Sequence, residues 1–451
     1  MSLVNNKEMN YEETLHYLYT SIPVFQHVGA SAYKPGLKTS RALDDYLENP
    51  HRAYPTIHVG GTNGKGSTSH LLAAILQLSG YKVGLYTSPH LVDFRERIRV
   101  NGEKIPQSYV VDFVEKYHRQ FEPLKPSFFE LTSTMAFAYF RDMHVDYAVI
   151  EVGLGGRLDS TNIITPILSV ITNISKDHTQ FLGNTLEEIA GEKAGIIKPG
   201  VPVVIGDVDE ESVMHVFRNK AKEENAPLYA STELSPLWRC ELGEDNQWHY
   251  RTKDFGVLTG ELGGMVQARN ASTVLTAVSV LREKGIPIPV EAIRGAFARV
   301  VELTGLMGRW QTVHTSPRVV CDTGHNTGGW EFLSRQLASE GKRCRTLRML
   351  VGMVNDKDID GVLALMPKDA VYYFTQASIA RALPAEEFAE KACRHGLKGN
   401  TYPNVAEALR SALQDASEED FIFIGGSTFI VADAYPLLER GEAPDKGHSM
   451  A

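Results

Sequence analysis

One segment near the start of the chain constrains the fold more than any other, the stretch Pro55-Thr-Ile-His-Val-Gly-Gly-Thr-Asn-Gly-Lys-Gly-Ser-Thr68. A short β-branched run that includes Ile57 and Val59 gives way to four glycines around Lys65, and a helical pattern follows at 71–78. A strand, a glycine-rich turn and a helix in this order place several backbone N–H groups and a helix N-terminus around one phosphate group. The segment therefore predicts a phosphate-binding loop.

This loop departs from the general consensus for such loops, G-x-x-x-x-G-K-[ST]. Gly66 separates Lys65 from Ser67, and Val59 stands where the first glycine belongs. We expect Lys65 to contact the β- and γ-phosphates, and Ser67 or Thr68 to supply a hydroxyl near Mg²⁺. The alternative is an ordinary turn between a strand and a helix, which four glycines bracketing a lysine disfavour.

The composition narrows the class of protein. At 451 residues the chain exceeds the roughly 250–300 residues at which single cores stop growing, so we expect two domains. The net charge of −9 disfavours a general nucleic-acid or membrane surface. The four cysteines have no metal-like spacing and favour reduced thiols. Because neither a signal peptide nor a run of ~18 apolar residues is visible, we expect a cytoplasmic protein without membrane contact.

Short apolar runs alternate with helical patterns along the first part of the chain. The runs are Val83–Thr87, Val145–Val152, Ile167–Thr172 and Val201–Ile205, and the helical patterns are Tyr109–Phe121, Leu131–Asp142 and Leu186–Ile196. Such alternation predicts a doubly wound α/β fold with a mostly parallel sheet. The segment Leu237–Val266 predicts an antiparallel excursion, and helices resume at Asn270–Lys284 and Val290–Ala298.

A second, smaller α/β series follows Gly305. Its predicted strands are Val319–Asp322, Leu347–Val351, Val371–Phe374 and Phe421–Ile424, and its predicted helices are Trp330–Ser339, Ile359–Leu365, Pro384–Arg394 and Val405–Ala416. We therefore predict an ATP-binding domain over residues 1–305 and a Rossmann-like α/β domain over residues 306–451. The charged tail Glu439–Ala451 is predicted to be disordered.

Glu151 ends an apolar strand and precedes a second glycine cluster. The run Tyr147-Ala-Val-Ile-Glu-Val152 is followed by Gly153-Leu-Gly-Gly156. In phosphate-loop enzymes an acidic residue at such a strand end faces the loop and holds Mg²⁺. A buried carboxylate needs a partner, and a cation is the natural one. The alternative is a salt bridge at the strand end, which the Lys65 loop disfavours, so Glu151 is the strongest candidate metal ligand.

Ser88 and His178 follow two other predicted strands. Ser88 lies in Thr87-Ser-Pro-His-Leu91, at the edge where open α/β sheets bind ligands. A serine before a proline also commonly starts a turn, and local evidence alone favours that interpretation. His178 lies in Ser175-Lys-Asp-His-Thr179, where either metal ligation or a structural hydrogen bond fits. With Glu151 these residues are compatible with one shared cation, although Mg²⁺ usually prefers oxygen ligands.

The second series has a polar strand end of its own. The run Cys321-Asp-Thr-Gly-His-Asn326 places Asp322 and His325 where a nucleotide in an interdomain cleft would lie, with Arg309 as a cation on the linker. An Asp-initiated turn explains the same residues equally well. Lys193, in Glu192-Lys-Ala-Gly195, receives no special role from its local sequence.

Taken together, these motifs resemble the folylpolyglutamate synthase/dihydrofolate synthase family, relatives of the Mur amino-acid ligases. The resemblance extends from Pro35-Gly-Leu37 to Gly425-Gly-Ser427. Its most specific elements are Gly61-Thr-Asn-Gly-Lys-Gly-Ser67, Thr87-Ser-Pro-His-Leu91 and Glu151-Val-Gly-Leu-Gly-Gly-Arg-Leu-Asp159. Further matches are Asp177-His178, Glu192-Lys-Ala-Gly195, Gly308-Arg309 and Asp322-Thr-Gly-His-Asn326. The irregular phosphate loop is then this family's own variant.

The resemblance implies a role for each matching residue. ATP would be bound by the loop residues Gly61, Thr62, Asn63, Gly64, Lys65, Gly66 and Ser67, and by Asn270, Arg309 and Asp322. Mg²⁺ would be held by Ser88, Glu151 and His178, with a second ion held by a carbamylated (N6-carboxylated) Lys193. The pterin substrate would contact Ser127, Phe128, Phe129, Glu130, Leu158, Asp159 and Ser160. The catalytic residues would be Lys65, Lys193 and His325.

The implied reaction is ATP-dependent amide formation in folate metabolism. A carboxylate of dihydropteroate or of a folate attacks the γ-phosphorus, and the amine of L-glutamate then displaces phosphate from the acyl phosphate. The protein contributes positioning and charge neutralisation, and closure of the domains should exclude water. The resemblance also implies a monomer that acts on small molecules.

Two other functions remain in view. A Mur-type ligase of cell-wall precursors would carry a whole N-terminal domain before the phosphate loop, whereas residues 1–54 offer little beyond one or two helices. A nucleotide-dependent switch or binding protein would need no ligase chemistry, and the complete second α/β series with its own Asp-His motif argues against it. ATP turnover that is independent of amino acid and folate would favour the switch.

Overall fold

A computed structural model gives the fold of residues 9–20, 36–243 and 247–440. Pro35 of the family motif and residues 441–451 of the predicted disordered tail lie outside the described residues. Within them, an eight-stranded sheet comes first along the chain, a three-stranded sheet follows, and a six-stranded sheet comes last. None of the described helices is both long and apolar enough to cross a membrane.

The eight-stranded sheet has the order β4-β3-β2-β5-β1-β6-β7-β8. The six strands from β2 to β8 in this order are parallel, and β3 and β4 extend the sheet as an antiparallel hairpin. Its strands are β1 (Thr56–Gly60), β2 (Val83–Tyr86), β3 (Ile98–Val100), β4 (Glu103–Lys104), β5 (Tyr147–Glu151), β6 (Leu168–Asn173), β7 (Val203–Asp207) and β8 (Leu228–Ala230).

The other two sheets contain the remaining strands. The antiparallel sheet consists of β9 (Leu237–Leu242), β10 (Trp248–Thr252) and β11 (Val257–Gly260). The six-stranded sheet has the order β12-β13-β17-β14-β15-β16, with only β12 antiparallel to its neighbour. Its strands are β12 (Gln311–Thr315), β13 (Arg318–Cys321), β14 (Leu347–Val351), β15 (Val371–Phe374), β16 (Lys398–Thr401) and β17 (Phe421–Gly425).

Helices connect these strands and cover the sheets. They are α1 (Tyr11–Thr20), α2 (Lys38–Tyr46), α3 (Lys65–Leu78), α4 (Gln107–Phe121), α5 (Phe128–Asp142), α6 (Thr179–Leu182), α7 (Leu186–Ala194), α8 (Glu211–Glu223), α9 (Ser231–Leu234), α10 (Gln267–Glu283), α11 (Val290–Thr304), α12 (Thr327–Gly341), α13 (Ile359–Leu365), α14 (Ala385–Arg394), α15 (Val405–Asp415) and α16 (Thr428–Glu439). Helix α3 is apolar on most sides because it packs in one core with the central strands and with α10 and α11.

The predicted fold class is confirmed. The predicted bounds of two strands, Leu347–Val351 and Val371–Phe374, and of the helix Ile359–Leu365 agree with the observed ones. The observed strand Val203–Asp207 begins later than predicted, after Pro202, which has no backbone N–H to donate to a ladder. Helix α11 runs past Ala298 to Thr304 with non-helical backbone angles at Arg299. Helices α8 and α16 and the short strands β3, β4, β8, β12 and β16 were not predicted.

Candidate active site

The predicted phosphate loop joins the central strand β1 to helix α3. Gly61 and Gly64 have φ angles of 133° and 80°, which favour glycine. A Cβ atom at either position would also overlap a neighbouring side chain, that of Thr172 or that of Asn270. The loop therefore requires glycine both for its backbone angles and for its close packing.

The neighbouring strand β6 fixes the shape of this loop. The backbone N–H of Thr62 donates to the carbonyl of Asn173 at 3.0 Å, and that of Asn63 donates to the Asn173 side-chain oxygen at 2.8 Å. The Thr172 hydroxyl donates to the Asn63 carbonyl at 2.6 Å. Sequence reasoning missed Thr172 and Asn173, whose only signal was their place at the carboxyl end of a strand.

Two lysines approach the loop from different helices. Lys65 Nζ donates to the carbonyls of Gly61 and Thr62 at 3.2 and 2.9 Å, and Lys193 Nζ donates to the Gly61 carbonyl at 2.8 Å. Burial lowers the pKa of Lys65, although the Glu151 carboxylate opposes this effect. Burial, reinforced by the charge of Lys65, lowers the pKa of Lys193 to about 7. Near neutral pH, Lys193 is thus available as an uncharged amine.

Glu151 lies on the other side of the start of helix α3. Its side chain is buried, and Oε2 accepts a hydrogen bond from the Ser88 backbone N–H at 3.0 Å. Burial raises the pKa of Glu151, and the charges of Lys65 and Arg309 oppose that rise. A Cβ atom on Gly66 would lie 3.4 Å from the Arg309 guanidinium. The same Cβ position is 3.9 Å from Glu151 Oε1, so Arg309 and Glu151 both face the first turn of the helix at ordinary contact distances.

The donor set of this region suits a hard divalent cation. The Ser88 hydroxyl and the Glu151 carboxylate line the same cleft and offer oxygen ligands. Among the described residues, no group of three or more histidine, cysteine, aspartate or glutamate side chains could hold a metal ion by itself.

His178 lies beside Lys357 of the second α/β series. Its Nε2 lies 3.4 Å from Lys357 Nζ, and Lys357 forms a buried ion pair with Asp177 at 2.5 Å. Burial, with the charge of Lys357, lowers the pKa of His178 to about 3, so the ring stays neutral and can act as a nitrogen ligand.

Asp177 joins the two α/β series at the loop. Besides Lys357, it accepts a hydrogen bond from Asn326 Nδ2 at 3.0 Å, and His325 Nε2 lies 3.4 Å from the same oxygen. Burial alone would raise the pKa of Asp177, but the His325 hydrogen bond and the Lys357 charge hold it well below its usual value. Asn326 also exchanges hydrogen bonds with Asn63 of the loop, at 3.1 and 2.9 Å.

The three residues predicted to bind ATP outside the loop lie close to it or next to one another. Asn270 donates to Gln267 at 2.9 Å, and Gln267 donates to the Ser67 hydroxyl at 3.4 Å. Arg309 Nη1 donates to the Gly308 carbonyl at 3.1 Å and to the Thr323 hydroxyl. Asp322 accepts hydrogen bonds from the backbone N–H groups of Trp310 and Gly324, both at 2.8 Å. Burial raises the pKa of Asp322, against the charge of Arg309.

The two predicted substrate segments meet at helix α5. Ser127 caps this helix in a reciprocal pair with Glu130, with distances of 3.2 and 2.7 Å. The Ser160 hydroxyl lies 3.2 Å from that of Ser133 on the same helix. The Asp159 carboxylate is buried and accepts hydrogen bonds from its own turn. Leu158 precedes this turn and is half-buried.

The aromatic residues of the first substrate segment form a wall near the start of α5. Phe128 stacks on Tyr19 with ring centroids 5.5 Å apart, and the Arg97 guanidinium lies 5.1 Å from the same ring. Phe129 packs so closely on Gly153 that a Cβ atom there would overlap its ring. The glycine cluster after Glu151 therefore packs on Phe129 of helix α5, the same helix that Ser160 of the second predicted substrate segment contacts.

Sequence reasoning also missed a role for Asp177, Asn326 and Lys357. Asp177 and Asn326 each stand next to a histidine, His178 or His325, and the predicted roles fall on the histidines. Lys357 lies in Asn355-Asp-Lys-Asp358, shortly after β14. A polar run after a parallel strand was the available signal, because such runs gather at one edge of a sheet.

Comparison with known proteins gives matches along most of the chain. Residues 59–277 match the Mur ligase middle domain, and residues 308–428 match the Mur ligase glutamate ligase domain. The chain is 35% identical over 391 residues to the dihydrofolate synthase/folylpolyglutamate synthase of Escherichia coli, covering 86% of this chain and 87% of that protein. It is 32% identical to the folylpolyglutamate synthase of Lacticaseibacillus casei, covering 96% and 100%.

Solved structures with the same fold include two ligand complexes. The Escherichia coli FolC complex with DHPP and ADP aligns with a TM-score of 0.82 and 31% identity, covering 96% of this chain and 99% of that chain. A bifunctional folylpolyglutamate synthase/dihydrofolate synthase with Mn, AMPPNP and L-glutamate bound aligns with a TM-score of 0.79 and 30% identity, covering 96% and 98%.

Proposed function

Since this chain belongs to the folylpolyglutamate synthase/dihydrofolate synthase family of Mur ligases, we propose that it joins L-glutamate to the carboxylate of dihydropteroate or of a folate at the expense of ATP. The observation that carries the proposal is the set of ionisable side chains gathered at one loop, Lys65, Lys193 and Glu151, faced by Arg309 from the linker. ADP, AMPPNP, DHPP and L-glutamate are bound by the solved relatives.

Different residues of the site would have different roles in phosphoryl transfer. Since the N–H groups of Thr62 and Asn63 donate to Asn173, the N–H groups from Gly64 into the first turn of helix α3 would face the ATP phosphates. Lys65 would neutralise charge that develops on the γ-phosphate. Arg309 approaches the same point from the linker, beside Gly66. Asn270 and Asp322 complete the nucleotide site.

Ser88, Glu151 and His178 are the residues that would hold Mg²⁺. When bound, the ion would supply positive charge that offsets the charge of the ATP phosphates. A second ion would require another anionic ligand near the loop, and a carbamylated Lys193 supplies one. Its neutral amine would attack CO₂, form a C–N bond and release a proton, which leaves a carboxylate beside Lys65.

The second stage of the reaction needs protection from water. The substrate carboxylate, held by the segments at 127–130 and 158–160, would become an acyl phosphate that the glutamate amine attacks. His325 lies at the junction of the two α/β series beside Asp177, where it would contact the reacting groups. The contacts of Asp177 with Asn326 and Lys357 support closure over the intermediate.

The division into residues 1–305 and 306–451 is supported by the strands, because β1–β8 form one sheet and β12–β17 another. The monomeric state, the cytoplasmic location and the absence of nucleic-acid binding stay predictions from the sequence.

One experiment tests the proposal directly. The protein is incubated with ATP, Mg²⁺ and L-glutamate plus either dihydropteroate or tetrahydrofolate, and products are identified by mass. We expect a glutamyl adduct that is lost in Lys65→Ala and in Glu151→Ala, while circular dichroism shows both variants folded. Lys220→Ala, which removes a lysine that pairs with Glu223 and Glu224 on helix α8, is the control and should retain full activity.

Near wild-type turnover in either loop variant would contradict the assignment. ATP hydrolysis that depends on neither amino acid nor pteridine substrate would favour the nucleotide switch instead. Product from only one of the two acid substrates would decide between a single and a dual activity.

A further inference from the structure

A buried chain of hydrogen bonds connects strand β1 to the second substrate segment. His58 lies in β1, two residues before the strand ends, and its Nε2 is 2.9 Å from the Thr161 hydroxyl oxygen. That hydroxyl donates to Asp159 Oδ1 at 2.5 Å. His58 and Thr161 are completely buried, and Asp159 is 5% exposed.

The direction of each hydrogen bond in this chain follows from the number of protons. A hydroxyl has one proton, and Thr161 gives it to the Asp159 carboxylate, so the Thr161 oxygen must accept from the Nε2–H of His58. Burial lowers the pKa of His58 to about 3, which leaves the ring neutral with a single N–H. Thr161 therefore fixes the tautomer of His58 with its proton on Nε2. Both hydrogen bonds are donated in the direction from His58 to Thr161 to Asp159.

Asp159 shapes the turn that follows the glycine cluster. Its carboxylate accepts hydrogen bonds from the backbone N–H groups of Leu154 and Thr161, at 2.8 and 3.0 Å, and it caps the short 3₁₀ helix Ser160–Ile163. Ser160 in turn meets Ser133 of helix α5 at 3.2 Å. A shift of the Asp159 side chain would therefore move the substrate segment relative to that helix.

We propose that His58 and Thr161 are positioning residues for the acid substrate, acting through Asp159. Strand β1 then aligns two sites at once, since its end carries the phosphate loop and its His58 holds the turn that presents Leu158–Ser160. The inference rests on the proposed function in one respect, the contact of that segment with the pteridine-bearing acid.

The test compares Thr161→Val, Thr161→Ser and the control Ser169→Ala by steady-state kinetics. Thr161→Val keeps the shape but leaves the His58 N–H without its acceptor and removes one of two hydrogen bonds to Asp159 Oδ1, while the bond from the Thr161 backbone N–H stays. We expect the KM for dihydropteroate or tetrahydrofolate to rise roughly ten-fold, with the KM for ATP changed less than about two-fold. Thr161→Ser, which keeps the hydroxyl, should restore the wild-type KM.

Ser169→Ala is the matched control. Ser169 is also completely buried, lies opposite His58 in the neighbouring strand, and donates to the Ile196 carbonyl at 2.8 Å. Its loss should lower the melting temperature without changing the KM for the acid. An equal rise in KM for Ser169→Ala and Thr161→Val would overturn the inference, as would a wild-type KM in folded Thr161→Val. If Thr161→Val does not fold, His58→Phe must show the same selective rise in KM.

Asp159→Asn separates the inference from the function on which it rests. Asp159→Asn could raise the KM for the acid while Thr161→Val and His58→Phe do not. That result would overturn the positioning role of His58 and Thr161 but support the contact of the substrate segment with the acid. If Asp159→Asn leaves that KM unchanged in an active enzyme, both the segment and the chain are wrong. A wild-type protein that forms no glutamyl product overturns the proposed function as well.

Discussion

At the scale of single residues, the phosphate loop lies among two lysines and a glutamate that are largely shielded from water. Lys65 and Lys193 both donate to the Gly61 carbonyl, and Glu151 lies close enough to Lys65 to oppose the lowering of its pKa. Burying two ammonium groups beside each other is costly unless anions arrive or one group becomes neutral. Lys193 meets the second condition, because its pKa of about 7 leaves it largely uncharged in mildly alkaline solution.

This lowered pKa predicts when Lys193 reacts with CO₂. Only the neutral amine is a nucleophile, and at pH 8 a group with a pKa of about 7 is roughly ten parts neutral to one part charged. We therefore expect a carbamate carbon signal in ¹³C NMR with labelled bicarbonate, absent below pH 6 and growing as the pH rises through 7. The carbamate would be stabilised by the neighbouring charge of Lys65.

Two lysine variants control that experiment. Lys193→Met should remove the carbamate signal. Lys198→Met removes another lysine whose pKa burial lowers and which donates to the Asn162 carbonyl, and it should leave the signal intact. A carbamate carbon that persists in Lys193→Met, or that is missing from the wild-type protein at pH 8, would contradict the assignment.

At the scale of elements, the site is made by strand ends. The phosphate loop follows β1, Ser88 follows β2, Glu151 ends β5 and Asn173 ends β6, and these strands are neighbours in one parallel sheet. The sequence was sufficient to place the loop, Ser88 and Glu151 at one edge of the sheet, though not Asn173, because apolar runs that end in polar residues reveal which side chains share an edge. It was insufficient for the short edge strands such as β4 and β16, whose few residues carry too weak a pattern.

The start of helix α5 has two predicted roles, capping the helix and contacting the substrate, and they can be measured separately. Ser127 and Glu130 form a capping box, and Ser127 also lies in a predicted substrate segment. Removing such a cap costs about 1 kcal/mol, so urea denaturation of Ser127→Ala should show that loss in the free energy of unfolding. If the helix start also contacts substrate, the KM for the pteridine acid should rise several-fold.

A second capping box supplies the comparison. Thr185 and Glu188 cap helix α7 in the same way, with distances of 3.2 and 3.1 Å. Thr185→Ala should therefore lose a similar amount of stability with an unchanged KM for the acid. The same KM in both variants would show that Ser127 serves the helix alone.

At the scale of the whole molecule, the two α/β series are joined through a few polar side chains. Asn63 and Asp177 come from the first series, and Asn326 and Lys357 come from the second. The sequence could not reveal these pairs, because about 150 to 260 positions separate the partners and no local pattern records such a contact. The sequence did show that each of these residues follows a predicted strand.

The buried Asp177–Lys357 pair predicts how ligation is coupled to ATP use. Lys357→Met removes the cation and leaves a carboxylate that is still held by Asn326 and near His325. Losing one partner of a buried pair is strongly destabilising for the contact, so closure over the acyl phosphate should weaken and admit water. We expect the turnover number to fall at least ten-fold and more than one ADP to form per glutamate added, as measured by ADP release against product mass.

The control for this variant is the same substitution elsewhere in the second series. Lys391 lies on helix α14, 3.9 Å from Glu387 in a partly exposed pair, and such pairs contribute little. Lys391→Met should therefore keep one ADP per glutamate. If Lys357→Met also keeps that ratio while its turnover falls, the pair orients reacting groups rather than sealing the cleft, because a leaking intermediate always consumes additional ATP.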